Sequence, residues 1–238
     1  MARAKMSRHE LKTQDEITST LQRFTELAYG RTKEIVITVS IVAVVAIAFL
    51  SWRLYSANRN ANAQNQLSAA ITVYNDTTNI KSAKERYEKT LAEAQKTFDM
   101  YGSTSIGPIA KYYVGISQEE LGNTAAAVKS LEEVVTTGDP AIKGIAQFAL
   151  AGIYKKHAEA AKAIDIYKQL YDKGGYSKSA VTLELAKLHE ANKQMDQAKE
   201  YYNKLVTEFP DSPFRQDADR ALKRLNAAPS PPPQQKPS

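Results

Sequence analysis

The sequence predicts an all-α protein: a stack of helical hairpins, a two-helix solenoid, preceded by one transmembrane helix. Three observations predict it. A four-residue pattern of small and large side chains recurs along the chain at steps of 35 and 36 residues. An uncharged, proline-free apolar run from Ile35 to Leu50 stands near the front. The composition, 43% hydrophobic with only 10 glycines in 238 residues, suits helices that pack on one another. A solenoid presents a surface and builds no catalytic cleft, so this class announces binding before any partner is known.

Residues 1–34 read as a cytoplasmic tail with an amphipathic helix. Arg3, Lys5 and Arg8 make residues 1–10 a basic, disordered leader that suits anionic lipid. Thr13 and Glu16 have the spacing of a capping box, after which Ile17, Leu21, Phe24 and Ala28 follow at helical intervals. Gly30 is the stop. A free helix this short is marginal in water, so its apolar stripe rests on the membrane surface or on a partner protein.

The run IVITVSIVAVVAIAFL, extended to Trp52, is long enough as a helix to cross the hydrocarbon core of a bilayer. Trp52 and Tyr55 supply interfacial aromatics, and Arg53 can reach the headgroups. Residues 35–55 are therefore the span. Seven Lys or Arg precede it, which favours a cytoplasmic N-terminus and places the rest of the chain outside the cytoplasm. Ala61-Asn62-Ala63 has the form of a signal-peptidase site but lies too far past the apolar run, so the expectation is an uncleaved anchor.

Residues 56–225 carry the repeats. Ala151, Tyr154, Ala163 and Tyr167 set the pattern. Ala186, His189, Ala198 and Tyr202 repeat it, as do Gly115, Gln118, Ala127 and Leu131 upstream, and Ile71, Tyr74, Ala83 and Tyr87 near the front. Small residues let paired backbones approach, and the larger side chains fill the space beside them. The expected helices pair as 60–77 with 82–98, 107–120 with 124–136, 141–156 with 160–172, and 178–191 with 195–208. Gly122-Asn123, Gly138-Asp139-Pro140, Gly174-Gly175 and Pro210-Asp211-Ser212-Pro213 punctuate them. The step from the first copy to the second is longer than the others, so the region about 97–107 is an extended helix end or a loop. Residues 214–225 read as a charged end cap, and the Pro-, Ser- and Gln-rich stretch 226–238 as disordered.

This spacing, with Leu150-Ala151, Tyr154, Ala163, Tyr167 and the terminal Pro210, resembles the tetratricopeptide repeat over about residues 63–225. Gln118, His189 and Leu131 depart from it, standing where aromatics are usual. The whole layout is similar to the YfgM-like family of ancillary SecYEG translocon subunits: an amphipathic helix, one span, then an Ala- and Gln-containing helix leading into the repeats. That resemblance implies a bacterial inner-membrane protein with a periplasmic repeat domain. It also implies a scaffold that contacts the Sec translocon and periplasmic chaperones or folding factors. An envelope-assembly or cell-division scaffold stands as an alternative, because the EFPDSP-to-RALKRL ending resembles those proteins too. A structural spacer without a ligand groove is the third reading.

Tetratricopeptide resemblance implies that the first helix of each pair lines a protein-binding groove. The residues that would face it are Tyr112, Ile116 and Glu119, then Ile145, Phe148, Gly152 and Lys155, then Leu183, Lys187 and Glu190. Mixed apolar and charged, this face suits a peptide or a helix more than an anion. Signs of chemistry are lacking. The three histidines are far apart, and Lys193 stands where a second zincin histidine would be needed after His189-Glu190. His189 occupies an aromatic packing position. No phosphate loop or nucleophile elbow is present, and no cysteine exists to serve as nucleophile, thiolate ligand or lipidation site. The expectation is no enzyme, no cofactor and no small-molecule substrate. A net charge of +6, spread along the chain, argues against a nucleic-acid surface.

Overall fold

A computed structural model describes residues 32–227. The capping-box helix and basic leader lie outside the described residues, as does the Pro-rich stretch from residue 228 onward. Two units are distinguished, Met1–Ala57 and Asn58–Ser238, and each is described by itself. Among the described residues there are nine helices and no strand.

The first helix, α1, runs unbroken from Thr32 to Asn75. Within the first unit every described residue up to Tyr55 is exposed, including Val36, Val42, Val44, Ile47 and Leu54. An apolar surface all round a helix, with no protein packed on it, is compatible with a single membrane span. Thr38 stays in the apolar run by returning its hydroxyl to the Glu34 carbonyl at 2.8 Å.

The second unit contains the end of α1 and then α2 (Ala83–Tyr101), α3 (Gly107–Glu120), α4 (Thr124–Thr137) and α5 (Pro140–Lys156). It continues through α6 (Ala160–Lys173), α7 (Lys178–Ala191), α8 (Met195–Glu208) and α9 (Arg215–Ala227). Three starts are capped by side chains. Ser82 accepts from the Glu85 N–H, Ser177 from Ala180, and Asp139 from both Ala141 and Ile142, with Pro140 supplying the first helical residue.

The hairpin turns repeat as strictly as the side chains do. Gly122, Ala158 and Lys193 all have positive φ, at 83°, 60° and 60°. The next residues, Asn123, Glu159 and Gln194, donate their N–H groups to the carbonyls of Gln118, Tyr154 and His189 at 2.8, 2.8 and 2.9 Å. This is the Schellman closure of a helix C-terminus, which glycine makes without strain and the other two residues do not.

Successive helices bury one continuous core. Leu67 and Ala70 of α1 meet Ala94 of α2 and Ala110 and Val114 of α3. Ala127, Leu131 and Val134 then pack with Ile142, Ala146 and Leu150. Ala151, Ala163, Tyr167 and Leu170 join Val181 and Leu185, and Leu183, Ala186, Ala198, Tyr202 and Leu205 lead to Ala218 and Ala221 of α9. The repeated small residues are points of close approach. A Cβ on Gly115 would fall 2.8 Å from Leu131 Cγ, and Ala127, Ala151, Ala163, Ala186 and Ala198 are completely buried.

The frontmost copy of the pattern packs differently. Ala83 is exposed at the start of α2, and the close contacts are made by Thr90, Ala94 and Thr97 instead. Both threonines turn their hydroxyls onto their own helix, at Arg86 O and Glu93 O, which lets polar residues sit in the core. At the other end, α9 buries Ala218 and Ala221 and keeps Arg, Lys and Asp outward. It extends through Asn226 and Ala227, two residues that composition alone assigns to the tail.

Candidate protein-binding face

Two hollows lie along the repeat unit. One, about 220 Å³, is lined by Ile116, Glu119 and Glu120 of α3 and by Ala149, Gly152, Ile153 and Lys156 of α5. The other, about 290 Å³, is lined by Leu183 and Lys187 of α7, Tyr202 of α8, and Asp217, Arg220, Ala221 and Arg224 of α9. Each combines an apolar floor with charged edges.

Glu119 organises the first hollow. It lies at the C-terminal end of α3 and is buried. Its Oε1 accepts from Lys156 Nζ at 2.9 Å and lies 3.0 Å from His157 Nε2, which in turn is 3.1 Å from Thr124 Oγ1. Burial alone would push this carboxyl up. The hydrogen bonds from Lys156, Thr124 and His157 outweigh it and hold the carboxyl below its ordinary value. Lys156 is raised in return, chiefly by its hydrogen bond to Glu119. Oε2 finds no hydrogen-bond partner among the described residues.

Ion pairs tie the face together between the hollows. Lys155 of α5 pairs with Glu184 of α7, and Lys187 approaches the same carboxylate at 3.9 Å. Glu190 accepts from the Tyr202 hydroxyl at 2.9 Å and from Arg224 at 2.6 Å, linking α7 to α8 and α9. Burial and that carboxylate together push the Tyr202 phenol up.

The residues named from sequence therefore divide. Ile116 and Glu119 meet Gly152 in the first hollow, and Leu183 and Lys187 meet in the second, with Glu190 holding two of its lining residues. Tyr112 instead packs against the α4–α5 core and edge-on to Tyr113 at 5.6 Å, and burial pushes its phenol up to about 12. Phe148 stacks on Tyr176 at 4.1 Å and meets Tyr167 edge-on. Ile145 is exposed and lines neither hollow. His189 stacks on Tyr201 with ring centroids 5.3 Å apart, and its Nδ1 lies 2.6 Å from Gln194 Oε1, while Nε2 is buried without a partner among the described residues.

Sequence reasoning missed Glu120, Ala149, Ile153 and Lys156 in the first hollow and Tyr202, Asp217, Arg220, Ala221 and Arg224 in the second. One signal was available. Ala149, Gly152, Ile153 and Lys156 follow helical spacing as well as Ile145, Phe148, Gly152 and Lys155 do, one step around the helix. Among the described residues no group of three His, Asp or Glu converges to hold a metal.

The comparisons with known proteins agree with this architecture. No curated protein is matched by the chain. Among solved structures, the nearly identical TPR-like repeats of a candidate kinesin light chain from Podosopora anserina align with a TM-score of 0.55 at 16% identity. That alignment covers 70% of this chain and 86% of the other. A single-substitution variant of the same protein aligns at 0.55 and 17%, covering 70% and 85%. At that identity the likeness shows the fold alone. A tetratricopeptide repeat model matches residues 181–212. The tetratricopeptide repeat-like domain model matches residues 31–177, more than half of the chain, and the protein therefore belongs to the tetratricopeptide repeat-like domain family.

Proposed function

We propose that this protein is a membrane-anchored, non-enzymatic scaffold whose repeat face holds a segment of another protein. Tetratricopeptide domains generally mediate contacts between proteins. The observation that carries the reading is a row of helices with two apolar-floored, charge-edged hollows, borne by a chain whose α1 also carries a fully exposed apolar run. Hollows of this size are smaller than drug-sized sites and suit individual side chains of a polypeptide.

The partners we infer are the Sec translocon and periplasmic chaperones or folding factors, with the N-terminus cytoplasmic and the repeats periplasmic. Support comes from the layout of tail, span and repeats, and from the excess of Lys and Arg before the span. A second reading, a spacer without a ligand groove, is favoured by one observation. The bridges Lys155–Glu184 and Arg224–Glu190 satisfy part of the face internally.

Photo-crosslinkers at Ile145 and Lys187, both exposed, test these readings in intact membranes. Adducts with translocon subunits or chaperones support the proposal. Adducts with division or outer-membrane assembly proteins move the protein to an envelope-assembly role, and no adduct at either position supports the spacer. A reporter fused after Ser238 that works only in the cytoplasm overturns the orientation.

A further inference from the structure

Gly152 sits inside α5 with nothing within 4 Å of where a Cβ would project. A glycine in a helix interior weakens it relative to alanine, so the choice needs a reason. Packing supplies one for Gly144 in the same helix, where a Cβ would fall 1.8 Å from the Gly175 carbonyl oxygen. None applies to Gly152. What its bare backbone does is keep the hollow between α3 and α5 open.

The edge of that hollow is unbalanced in charge. Glu119 and Glu120 face one ammonium, Lys156, which binds Glu119 Oε1. Glu119 is more than nine-tenths buried, and its Oε2 is without a donor among the described residues. That oxygen is sealed from solvent, so Glu119 contributes negative charge at the floor of the hollow, and the exposed Glu120 carboxylate is the one a cationic donor can reach. Glu120 is exposed and makes no ion pair among the described residues. An apolar slot ending at carboxylates fits the two-part side chains of lysine and arginine, whose methylene stems cover apolar surface while the head stays charged.

We propose that the α3–α5 hollow is a pocket for a single lysine or arginine side chain of a bound polypeptide. Gly152 and Ile116 receive the stem, and the exposed Glu120 carboxylate receives the charge. The inference rests on the reading of this face as protein-binding and names what part of the partner it recognises.

The test titrates the full chain in detergent micelles, isoleucine methyls labelled, with the pentapeptide acetyl-Ala-Ala-Arg-Ala-Ala-amide and its norleucine and glutamate counterparts. The arginine peptide should shift the Ile116 and Ile153 signals saturably. The norleucine peptide should bind about fivefold more weakly, the range expected for a partly exposed ion pair. Glu120→Lys, at an exposed position, should lower arginine-peptide affinity at least as much without moving the unfolding midpoint. Gly152→Leu should abolish the shifts. Equal affinity for the norleucine peptide, or an unchanged affinity in Glu120→Lys, overturns the inference. The two levels fail separately: crosslinks from Lys187 that keep their partner and yield in Glu120→Lys leave the scaffold standing and remove the basic-residue pocket.

Discussion

Two glycines of one helix should respond in opposite directions to the same substitution. Replacing a helix-interior glycine by alanine gains about 1 kcal/mol from propensity alone. At Gly152 nothing opposes that gain, because the new methyl meets no atom within 4 Å. At Gly144 the methyl would lie 1.8 Å from the carbonyl oxygen and 2.3 Å from the carbonyl carbon of Gly175. Both obstacles are backbone, so no side chain can rotate away. Gly175 also sits at φ 97° beside Gly174 at φ 81°, in the turn that passes from α6 to α7. Forcing that turn aside belongs at the upper end of overpacking costs, about 3 kcal/mol, which leaves a net loss of about 2 kcal/mol.

For a domain of this size 1 kcal/mol moves a melting midpoint by about 2–4 °C. Circular dichroism melts of the full chain in one detergent should therefore put Gly144→Ala about 4–8 °C below the parent and Gly152→Ala about 2–4 °C above it. A Gly144→Ala protein that melts at or above the parent would refute the close approach of α5 to the α6–α7 turn. A Gly152→Ala protein that melts lower would refute the open space, and with it the reason given for that glycine.

Other perturbations test other parts. Ala158→Gly and Lys193→Gly should each stabilise by about 0.5–1 kcal/mol, since relief of the left-handed conformation exceeds the entropy a glycine adds to the unfolded chain; urea midpoints that fall instead would contradict the turn geometry. Ser117 is completely buried with its hydroxyl unbonded among the described residues, so Ser117→Ala should hold or gain up to about 1 kcal/mol in the same assay. The Glu119 carboxyl is held below its ordinary value of 4.5 in the folded state, so its contribution is complete above that pH and lost as pH falls through the folded value. Lys156 is raised above its ordinary value of 10.5, so its share is complete below that pH and fades as pH rises through the folded value. Stability measured in pH steps should thus lose part of its acid limb in Glu119→Gln, and parallel curves would exclude the coupling. Val44→Arg, in the exposed apolar run, should cost about 3 kcal/mol of insertion and shift protein into the carbonate-extractable fraction.

Helix positions were legible in the sequence because two signals coincide at each boundary. Asp139-Pro140 is both a cap and a start, and Gly122, Ala158 and Lys193 fall at one repeat position. The first hairpin was less legible, since Ala83 fits the spacing yet opens its helix in solvent, and buried threonines do the work of alanines further along. Side-chain facing was partly legible. Repeat register places Phe148 beside Gly152, but the aromatic it stacks on, Tyr176, comes from the stretch between α6 and α7, which no helical period describes. The bridges Lys155–Glu184 and Arg224–Glu190 join separate hairpins at separations that helix geometry does not single out.

The two hollows also differ in a way that counting charges along the chain does not reveal. Two of the three charged residues lining the α3–α5 hollow are carboxylates, whereas the α7–α9 hollow has Lys187, Arg220 and Arg224 around Asp217. Between them the face is closed by Lys155 bound to Glu184, with Lys187 on the far side of that carboxylate. A face arranged this way has two separate hollows with different lining charges, not a uniform trough. Each cation lining the α7–α9 hollow already has a carboxylate, Lys187 with Glu184, Arg220 with Asp217 and Arg224 with Glu190, so under the proposed function the charge preference of the face lies at α3–α5. An acidic side chain placed there instead would set like charge against Glu119 and Glu120, and that penalty, more than the modest attraction of the hollow for a basic one, is what would fix the choice.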